Sequence, residues 1–285
     1  MDFGMISYEG LTEEDFTLPE MPQPFLPGTR NRNPLLYLGL PNWNYKEEEK
    51  KKNSPDPQPG TLPFYASYFN ACELVLTHEE VPAAEKIMKW YKSIEAIDFK
   101  FCPQFHKGIS NTGKVDIHKL GVSADFMNRM KSFQNKLGSS LLQLPENYAA
   151  ENSDKLVSYL EALPKDYELA VELRNPDWFA NPTQLNLLVE KLNRLNKTLV
   201  ITDTPGRRDT VHMQLSNTTA FIRLNAKGWN ELDLFRVGEW KKRLQSWYLQ
   251  GLEKCYFFLH IHDAEGKDDF INYVQEEFGI FLRTK

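Results

Sequence analysis

Eight short apolar runs, separated by longer amphipathic segments, constrain this chain more than any other feature of its sequence. The runs are LLYLGL (35–40), ACELVLT (71–77), DFKFCPQ (98–104), SSLLQLP (139–145), LAVELR (169–174), TLVITD (198–203), AFIRLN (220–225) and CYFFLHIH (255–262). Such runs are typical of strands buried on both faces, and their alternation with helices favours parallel pairing. We therefore predict an α/β fold, a single (β/α)8 barrel of the TIM type over residues 35–285, with an open doubly wound sheet as the alternative.

The segments between the runs carry helix signals. Asn181 followed by Pro182 is the pattern of an N-cap and a first helical residue, so a helix is predicted to begin there. Ser123 is predicted to precede another helix. Gly251 and Gly279 each follow an apolar stripe at helical spacing and are predicted to stand just beyond a helix end.

The N-terminus and two connections lie outside this alternation. Residues 1–34 contain five prolines and little periodicity, which indicates an extended arm rather than a domain. The connections 44–61 and 105–123 are unusually long. The first carries a charge run typical of a solvated loop, and the second is basic and includes Lys107. Because barrel enzymes build their sites from loops at the carboxyl ends of strands, both are candidate binding loops.

Composition bounds the function class. Hydrophobic residues make up 41% of the 285 residues and charged residues 26%, as in ordinary soluble globular proteins. The net charge of −5 argues against nucleic-acid binding by the whole surface, although a local basic cleft stays open. Three cysteines beside apolar runs are typical of buried free thiols in a reducing compartment. With no apolar stretch of roughly 18 residues and no signal-peptide pattern, we expect a cytoplasmic protein without a membrane partner.

Polar residues inside or at the ends of the apolar runs are the strongest functional signal. A buried unpaired charge costs several kcal/mol, so these residues must pair with one another or with a ligand. Two interpretations follow, a self-satisfied network inside the barrel or a polar pocket at its carboxyl end. The number of strands that contribute favours the pocket. The residues are Glu73, Gln104, Gln143, Glu172, Arg174, Asp203, Arg223, Asn225, His260 and His262.

Roles follow from residue chemistry. The candidate catalytic acids and bases are Glu73, Glu172, Asp203 and His262. Arg174 and Arg223 are predicted to bind a phosphate or carboxylate group, because a guanidinium presents a fork of donors. The other predicted binding residues are Gln104, Gln143, Asn175, Asn225, Trp43, Lys107 and Trp178, the last at the rim of the pocket.

A metal site is the alternative use of the eighth run. His260 and His262 lie two residues apart, and with Asp203 they are candidate ligands for a divalent metal, as in a metal-dependent hydrolase. Otherwise no cofactor is expected, because the sequence has no P-loop, no dinucleotide fingerprint, no G-x-S-x-G and no H-E-x-x-H.

Six ordered segments between roughly residues 36 and 275 resemble motifs of the DUF72 (YecE-like) family. They are GLPNWNY, FYASYFNACELVLT, FKFCPQFHKGISN, LGSSLLQLPENY, LAVELRNPDW and AFIRLNAKG. The resemblance implies a TIM barrel, in a family without an established activity. It matches Glu73, Gln143, Glu172, Arg174, Trp178 and Arg223 to motif positions. It also implies departures: Gln104 stands where the family has lysine, and Asn111, Asn175 and Asn225 stand where it has histidines.

Two function classes remain. The first is an enzyme that acts on a small anionic substrate by general acid/base chemistry. The second is a barrel that binds a small ligand or a nucleic acid without turnover. The asparagines and the glutamine at motif positions favour the second class, because amides hold ligands but do not shuttle protons near neutral pH.

Overall fold

The computed structural model describes residues 3–22, 26–31, 33–43, 58, 60–111 and 113–281. Its strands are β1 (Leu35–Pro41), β2 (Ala71–Leu74), β3 (Lys100–Pro103), β4 (Ser140–Gln143), β5 (Leu169–Glu172), β6 (Thr198–Asp203), β7 (Thr219–Ala226) and β8 (Lys254–Ile261). Their order in the sheet is β3-β2-β1-β8-β7-β6-β5-β4. Parallel bridges from Phe101 to Leu137 and from Gln104 to Leu141 link the segments of β3 and β4. This is the strand order of a (β/α)8 barrel, and the predicted fold class is confirmed.

Helices connect successive strands. They are α1 (Leu62–Tyr68), α2 (Leu76–Glu79), α3 (Ala84–Ser93), α4 (Lys107–Ser110), α5 (Leu120–Met130), α6 (Ser153–Glu161), α7 (Asp177–Ala180), α8 (Pro182–Arg194), α9 (Glu231–Gln250) and α10 (Lys267–Phe278). Short 3₁₀ turns cover Glu13–Phe16, Ile117–Lys119, Lys131–Lys136, Ala150–Asn152 and Arg208–Thr210. Among the described helices, none combines the length and apolar character that a bilayer-spanning segment needs.

The chain forms two compact units. The central unit comprises residues 37–178, and the terminal unit comprises residues 1–36 and 179–285. The central unit contains β2 to β5 and the terminal unit contains β6 to β8.

Most predicted element boundaries agree with the structure to within two residues, and two differ by more. Asn181 accepts hydrogen bonds from the backbone of Thr183 and Gln184 as the N-cap of α8, and Gly251 ends α9 with a φ of 108°. The helix expected after Ser123 begins earlier, at Leu120, because the hydroxyl of Ser123 donates back to Lys119 and pairs with Tyr159.

The second strand is also shorter than predicted. It ends at Leu74 instead of Thr77. The hydroxyl of Thr77 donates to the carbonyl oxygens of Leu74 at 2.7 Å and Gln104 at 2.6 Å. These bonds hold the backbone after Leu74 in the short helix α2, so the strand ends before it.

The N-terminal segment lies along α9, and we call its described residues 3–22 and 26–31 the strap. It follows the helix in the same direction, from the first turn to the last. Its contacts are Tyr8 with Asp233, Phe16 with Arg236, Pro19 with Arg243, Gly28 with Gln250 and Asn31 with Tyr248. The side chain of Phe16 is fully buried. The strap is therefore part of the packing of the terminal unit.

All three cysteines are free and buried, as predicted. Burial raises the pKa values of the Cys72 and Cys255 thiols. A raised pKa lowers the fraction of reactive thiolate, so neither residue has the character of a nucleophile.

Candidate functional site at the carboxyl ends of strands β7 and β8

The predicted polar residues of the terminal unit lie on both faces of its sheet. Asp203 faces α9, because its carboxylate accepts a hydrogen bond from Trp240 of that helix. Arg223 is the register partner of Thr202, one residue before Asp203. Since side chains alternate between faces along a strand, Arg223 lies on the face away from α9. Asn225, two residues further on, and its partner His260 share that face.

Asp203 belongs to a buried ionic network. Its carboxylate accepts hydrogen bonds from Arg236 and Trp240, each at 2.8 Å, and from Arg208. Burial acts to raise the pKa of this carboxyl group. The charges of Arg236 and Arg208 outweigh that effect and hold its pKa below the usual value. Three donors on one carboxylate favour a structural role, and the catalytic role of Asp203 stays a prediction.

The candidate metal ligands are not gathered into a cluster. Over the part of the chain that the structure describes, no group of three or more His, Cys, Asp or Glu side chains is placed to hold a metal ion. Asp203 is directed at α9, whereas His260 lies on the opposite face of the sheet. The arrangement therefore gives no support to a site built from Asp203, His260 and His262.

A cleft of about 610 Å³ lies at the carboxyl ends of β7 and β8. It is bounded by the loop 227–230 after β7, the loop 262–266 after β8, and Tyr8 of the strap. His262 is the one sequence-predicted site residue among the residues that line it. Carboxyl ends of neighbouring parallel strands are where α/β proteins bind ligands, and in barrels the loops after strands 7 and 8 frequently hold phosphate.

The loop after β7 is held by one carboxylate. Asp233, in the first turn of α9, accepts backbone hydrogen bonds from Lys227 at 2.8 Å and Gly228 at 3.1 Å, and a side-chain bond from Asn230. Gly228 has a φ of 141°, a region that other residues rarely adopt. This geometry fixes where the side chain of Lys227 leaves the backbone.

The Lys227 side chain is placed over an aromatic ring. Its ammonium nitrogen is 4.6 Å from the ring centroid of Tyr8, a cation–π distance. The Tyr8 hydroxyl donates to Asp233 at 2.7 Å and accepts from Arg236 at 3.2 Å. Burial is the main reason that the pKa of Tyr8 is raised, so the phenol stays protonated. Tyr8 thus links the ionic network to the wall of the cleft.

The cleft offers several kinds of recognition. Lys227 supplies a positive charge, His262 an imidazole, and Asp263 and Glu265 two carboxylates. Trp229 is 51% exposed and offers an indole ring. A ligand with an anionic group, hydroxyl groups and an apolar face has a partner for each of these features.

The central unit buries a second polar set. Glu73, Gln104, Gln143, Glu172 and Arg174 are all buried, as their place in the apolar runs predicted. Gln143 and Glu172 are register partners on β4 and β5. The Nε atom of Arg174 donates to Glu172 at 3.2 Å, and both residues take part in further interactions. The pair is therefore not isolated, and its predicted role in ligand binding stays a prediction.

The two tryptophans predicted as walls of the pocket both make packing contacts. Trp178 is fully buried and its indole donates to the carbonyl oxygen of Tyr148 at 2.8 Å. Full burial does not fit the rim position predicted for Trp178, and its role in ligand binding stays a prediction. Trp43 packs edge-on against Trp90 of α3, with centroids 4.8 Å apart. Both contacts favour packing over ligand contact.

Asn175 and Lys107 are engaged locally. The amide of Asn175 donates to the carbonyl oxygen of Glu146 at 2.6 Å, and its oxygen accepts from the backbone of Asp177 at 2.8 Å. Lys107 pairs with Glu79 at 2.5 Å on an exposed surface, and this hydrogen bond lowers the pKa of Glu79. Most of the predicted binding loop 44–61, namely residues 44–57 and 59, lies outside the described residues.

Comparison with known proteins identifies the family. A sequence model with the description "Protein of unknown function DUF72" matches residues 37–279, well over half of the chain. The chain belongs to the DUF72 family. It is 25% identical over 263 residues to the UPF0759 protein YecE of Escherichia coli (strain K12), an alignment that covers 85% of this chain and 92% of YecE.

Two solved DUF72 structures share the fold. A DUF72 family protein from Enterococcus faecalis V583 has a TM-score of 0.68 at 18% identity, covering 88% of this chain and 97% of that one. One from Thermotoga maritima MSB8 has a TM-score of 0.61 at 17% identity, covering 86% and 98%. The DUF72 match begins at residue 37, so Tyr8 and the strap lie outside the matched segment.

Proposed function

We propose that this DUF72 protein acts on a small anionic substrate that carries hydroxyl groups, by general acid/base chemistry in the cleft at the ends of β7 and β8. The observation that carries the proposal is the meeting of Lys227 and His262 in one cleft of about 610 Å³. Its size is that of a small-molecule site.

Binding would divide the substrate between the two loops. The ammonium of Lys227 holds a phosphate or carboxylate group, and Trp229 covers an apolar face of the substrate. The carboxylates of Asp263 and Glu265 accept hydrogen bonds from hydroxyl groups. They also repel a second negative charge near the β8 loop. A substrate with one anionic end and one hydroxyl-bearing end suits this arrangement better than a polyanion such as nucleic acid.

Catalysis would depend on His262. Its imidazole can accept a proton from the substrate or donate one to it, the two roles of general acid/base catalysis. Asp263 follows it directly in the chain and is the nearest candidate partner in the opposite role. Glu73, Glu172, Arg174 and Arg223 stay predicted functional residues.

The test is a titration followed by an activity screen. Inorganic phosphate, glucose 6-phosphate and glucose are titrated calorimetrically into the wild type, Lys227→Met and His262→Gln. A lost charge-assisted hydrogen bond is worth about 1.5–3 kcal/mol, so Lys227→Met should lower the affinity for phosphate and for glucose 6-phosphate by roughly tenfold or more. His262→Gln should still bind glucose 6-phosphate. Turnover of phosphate esters, if found in the screen, should be lost in His262→Gln.

Matched controls separate the site from general charge effects. Lys242→Met removes an exposed ammonium paired with Glu239, and His118→Gln removes an exposed imidazole in the central unit. Neither should change binding. Equal phosphate affinity in Lys227→Met and the wild type would contradict the anion site. Binding without any His262-dependent turnover would instead support a ligand-binding protein.

A further inference from the structure

The strap supplies one wall of the proposed cleft. Tyr8 lines the cleft, and its ring lies 4.6 Å beneath the ammonium of Lys227. The hydroxyl of Tyr8 is held by Asp233, which also holds the backbone of Lys227. Ring and lysine are thus fixed to the same carboxylate from two distant parts of the chain.

The tip of the strap is docked by backbone contacts beside the cleft. The carbonyl oxygen of Phe3 accepts hydrogen bonds from Thr204 at 2.8 Å and from Asn225 at 3.2 Å. The carbonyl oxygen of Gly4 accepts one from the backbone of Gly206 at 2.6 Å. Asn225, at a position where the resemblance implies a histidine, is therefore used here to hold the strap.

We infer that Tyr8 is a positioning residue for ligand binding: its ring holds the ammonium of Lys227 in the cleft, so the strap strengthens the binding of an anionic ligand there. The inference rests on the proposed function. A lysine side chain has four rotatable bonds and leaves a site readily unless something holds it. A cation–π contact restricts the ammonium yet leaves its N–H groups able to donate to an anion. The recognised group is a phosphate or carboxylate that reaches the face of Lys227 opposite the ring.

A substitution at Gly4 displaces the strap without changing Tyr8. Gly4 has a φ of +66°, and a Cβ there would lie 2.6 Å from the methyl carbon of Thr204. Gly4→Ala should therefore lift the tip of the strap. Gly10 also has a positive φ, +77°, but a Cβ there meets nothing within 4 Å. Gly10→Ala is the matched control, with similar backbone strain and no clash.

Two measurements on the full chain test the inference. The first is the affinity for inorganic phosphate. The second is the ¹³C chemical shift of the methyl groups placed on Lys227 by reductive methylation. Lys227→Arg assigns this signal, and an aromatic ring beneath the ammonium moves the signal upfield. Tyr8→Leu should weaken phosphate binding about tenfold and remove the upfield shift. Tyr8→Phe keeps the ring and should retain both within about twofold. Gly4→Ala should show the same weaker phosphate binding and lost upfield shift as Tyr8→Leu. Gly10→Ala should match the wild type in both measurements.

The outcomes distinguish this inference from the proposed function. If the wild type binds phosphate and Tyr8→Leu binds it equally well, the positioning role is wrong and the anion site stands. If Tyr8→Phe loses binding as fully as Tyr8→Leu, the hydroxyl and the ionic network matter rather than the ring, which also overturns the inference. If the wild type binds neither phosphate nor glucose 6-phosphate, the proposed function fails, and the ligand role of Tyr8 fails with it.

Discussion

Replacement of Arg236 by methionine tests the ionic network that supports the cleft. Arg236 is fully buried, and its guanidinium donates to Asp203 at 2.8 Å and to Asp233 at 2.6 Å. The same group donates to the backbone carbonyl oxygens of Asp203 and Asn225, each at 3.0 Å. Methionine fills similar length but donates nothing, so both carboxylates lose their shared cation.

The expected loss of stability depends on the hydrogen bonds that each carboxylate retains without Arg236. Removal of one partner from a buried ion pair costs about 3–5 kcal/mol, because the remaining charge stays buried. Asp203 retains Arg208 and Trp240, and Asp233 retains the backbone N–H groups of Lys227 and Gly228. These donors lower the cost at each carboxylate but do not replace the lost charge. We expect Arg236→Met to reduce the free energy of unfolding by about 4 kcal/mol, a large share of an ordinary total of about 5–15 kcal/mol.

Urea denaturation followed by circular dichroism measures this loss at pH 7. Arg194→Met is the control. Arg194 is 74% exposed and 4.0 Å from Glu190, so its loss should change the free energy of unfolding by less than about 0.5 kcal/mol. A loss below about 1 kcal/mol for Arg236→Met would refute the reasoning, since the network would then be energetically neutral.

The pH dependence gives a second check with a definite sign. In the wild type the pKa of Asp203 is depressed, so its contribution to stability is present above the unfolded pKa and is lost as pH falls through the folded pKa. Without Arg236, burial opposes the charged form and the pKa of Asp203 rises. Asp203 of the variant is then protonated at a higher pH, which removes its buried charge. The difference in the free energy of unfolding between the wild type and the variant should therefore become smaller from pH 7 to pH 4. A gap that widens would contradict this account.

Three further predictions concern residues outside the cleft. Burial lowers the pKa of His212 to about 4, and its Nδ1 accepts from the backbone of Gln214. The unfolded chain therefore binds a proton at His212 before the folded protein does, and up to about 3 kcal/mol of the free energy of unfolding should be lost from pH 6.5 to pH 4. Urea titrations of His212→Gln should not show this loss. Trp178→Phe should cost about 1–3 kcal/mol in urea denaturation, since it leaves the carbonyl oxygen of Tyr148 without its donor. Asn175→Ala should lower stability by about 1 kcal/mol in thermal melts, because both side-chain hydrogen bonds of Asn175 are lost, and no loss would contradict this.

The fold was predictable because periodicity and strand burial are local properties. Each of the eight apolar runs contains or overlaps a strand, and the capping signals at Asn181 and Gly251 act over a few residues. Both boundary errors arise where a side-chain hydroxyl makes a hydrogen bond to a residue distant in the sequence. Thr77 ends the second strand by bonding to Gln104, 27 residues away, and no local pattern reveals such a partner.

The candidate site was less predictable, for a related reason. His262 was found because a histidine after an apolar run is conspicuous, whereas Lys227 and Trp229 resembled ordinary loop residues. The segment KGWN after the seventh run did contain a signal, a glycine and an N-cap asparagine at a strand-to-helix connection. Asp203 was interpreted as catalytic because it is polar at a strand end. Its partner Arg236 lies 33 residues further along the chain, on a helix face that was expected to be apolar.

Polar residues on the packed face of α9 connect the strap to the cleft. Asp233 and Arg236 are fully buried, although a helix that covers a sheet ordinarily buries apolar side chains. The strap removes this difficulty, because Tyr8 bonds to both residues and the ring of Phe16 covers the Arg236 guanidinium at 5.2 Å. The same Asp233 holds the loop that carries Lys227. Charged residues on the face of a helix that covers a sheet therefore indicate that another segment packs over them. In this protein that segment is the strap, which also reaches the cleft.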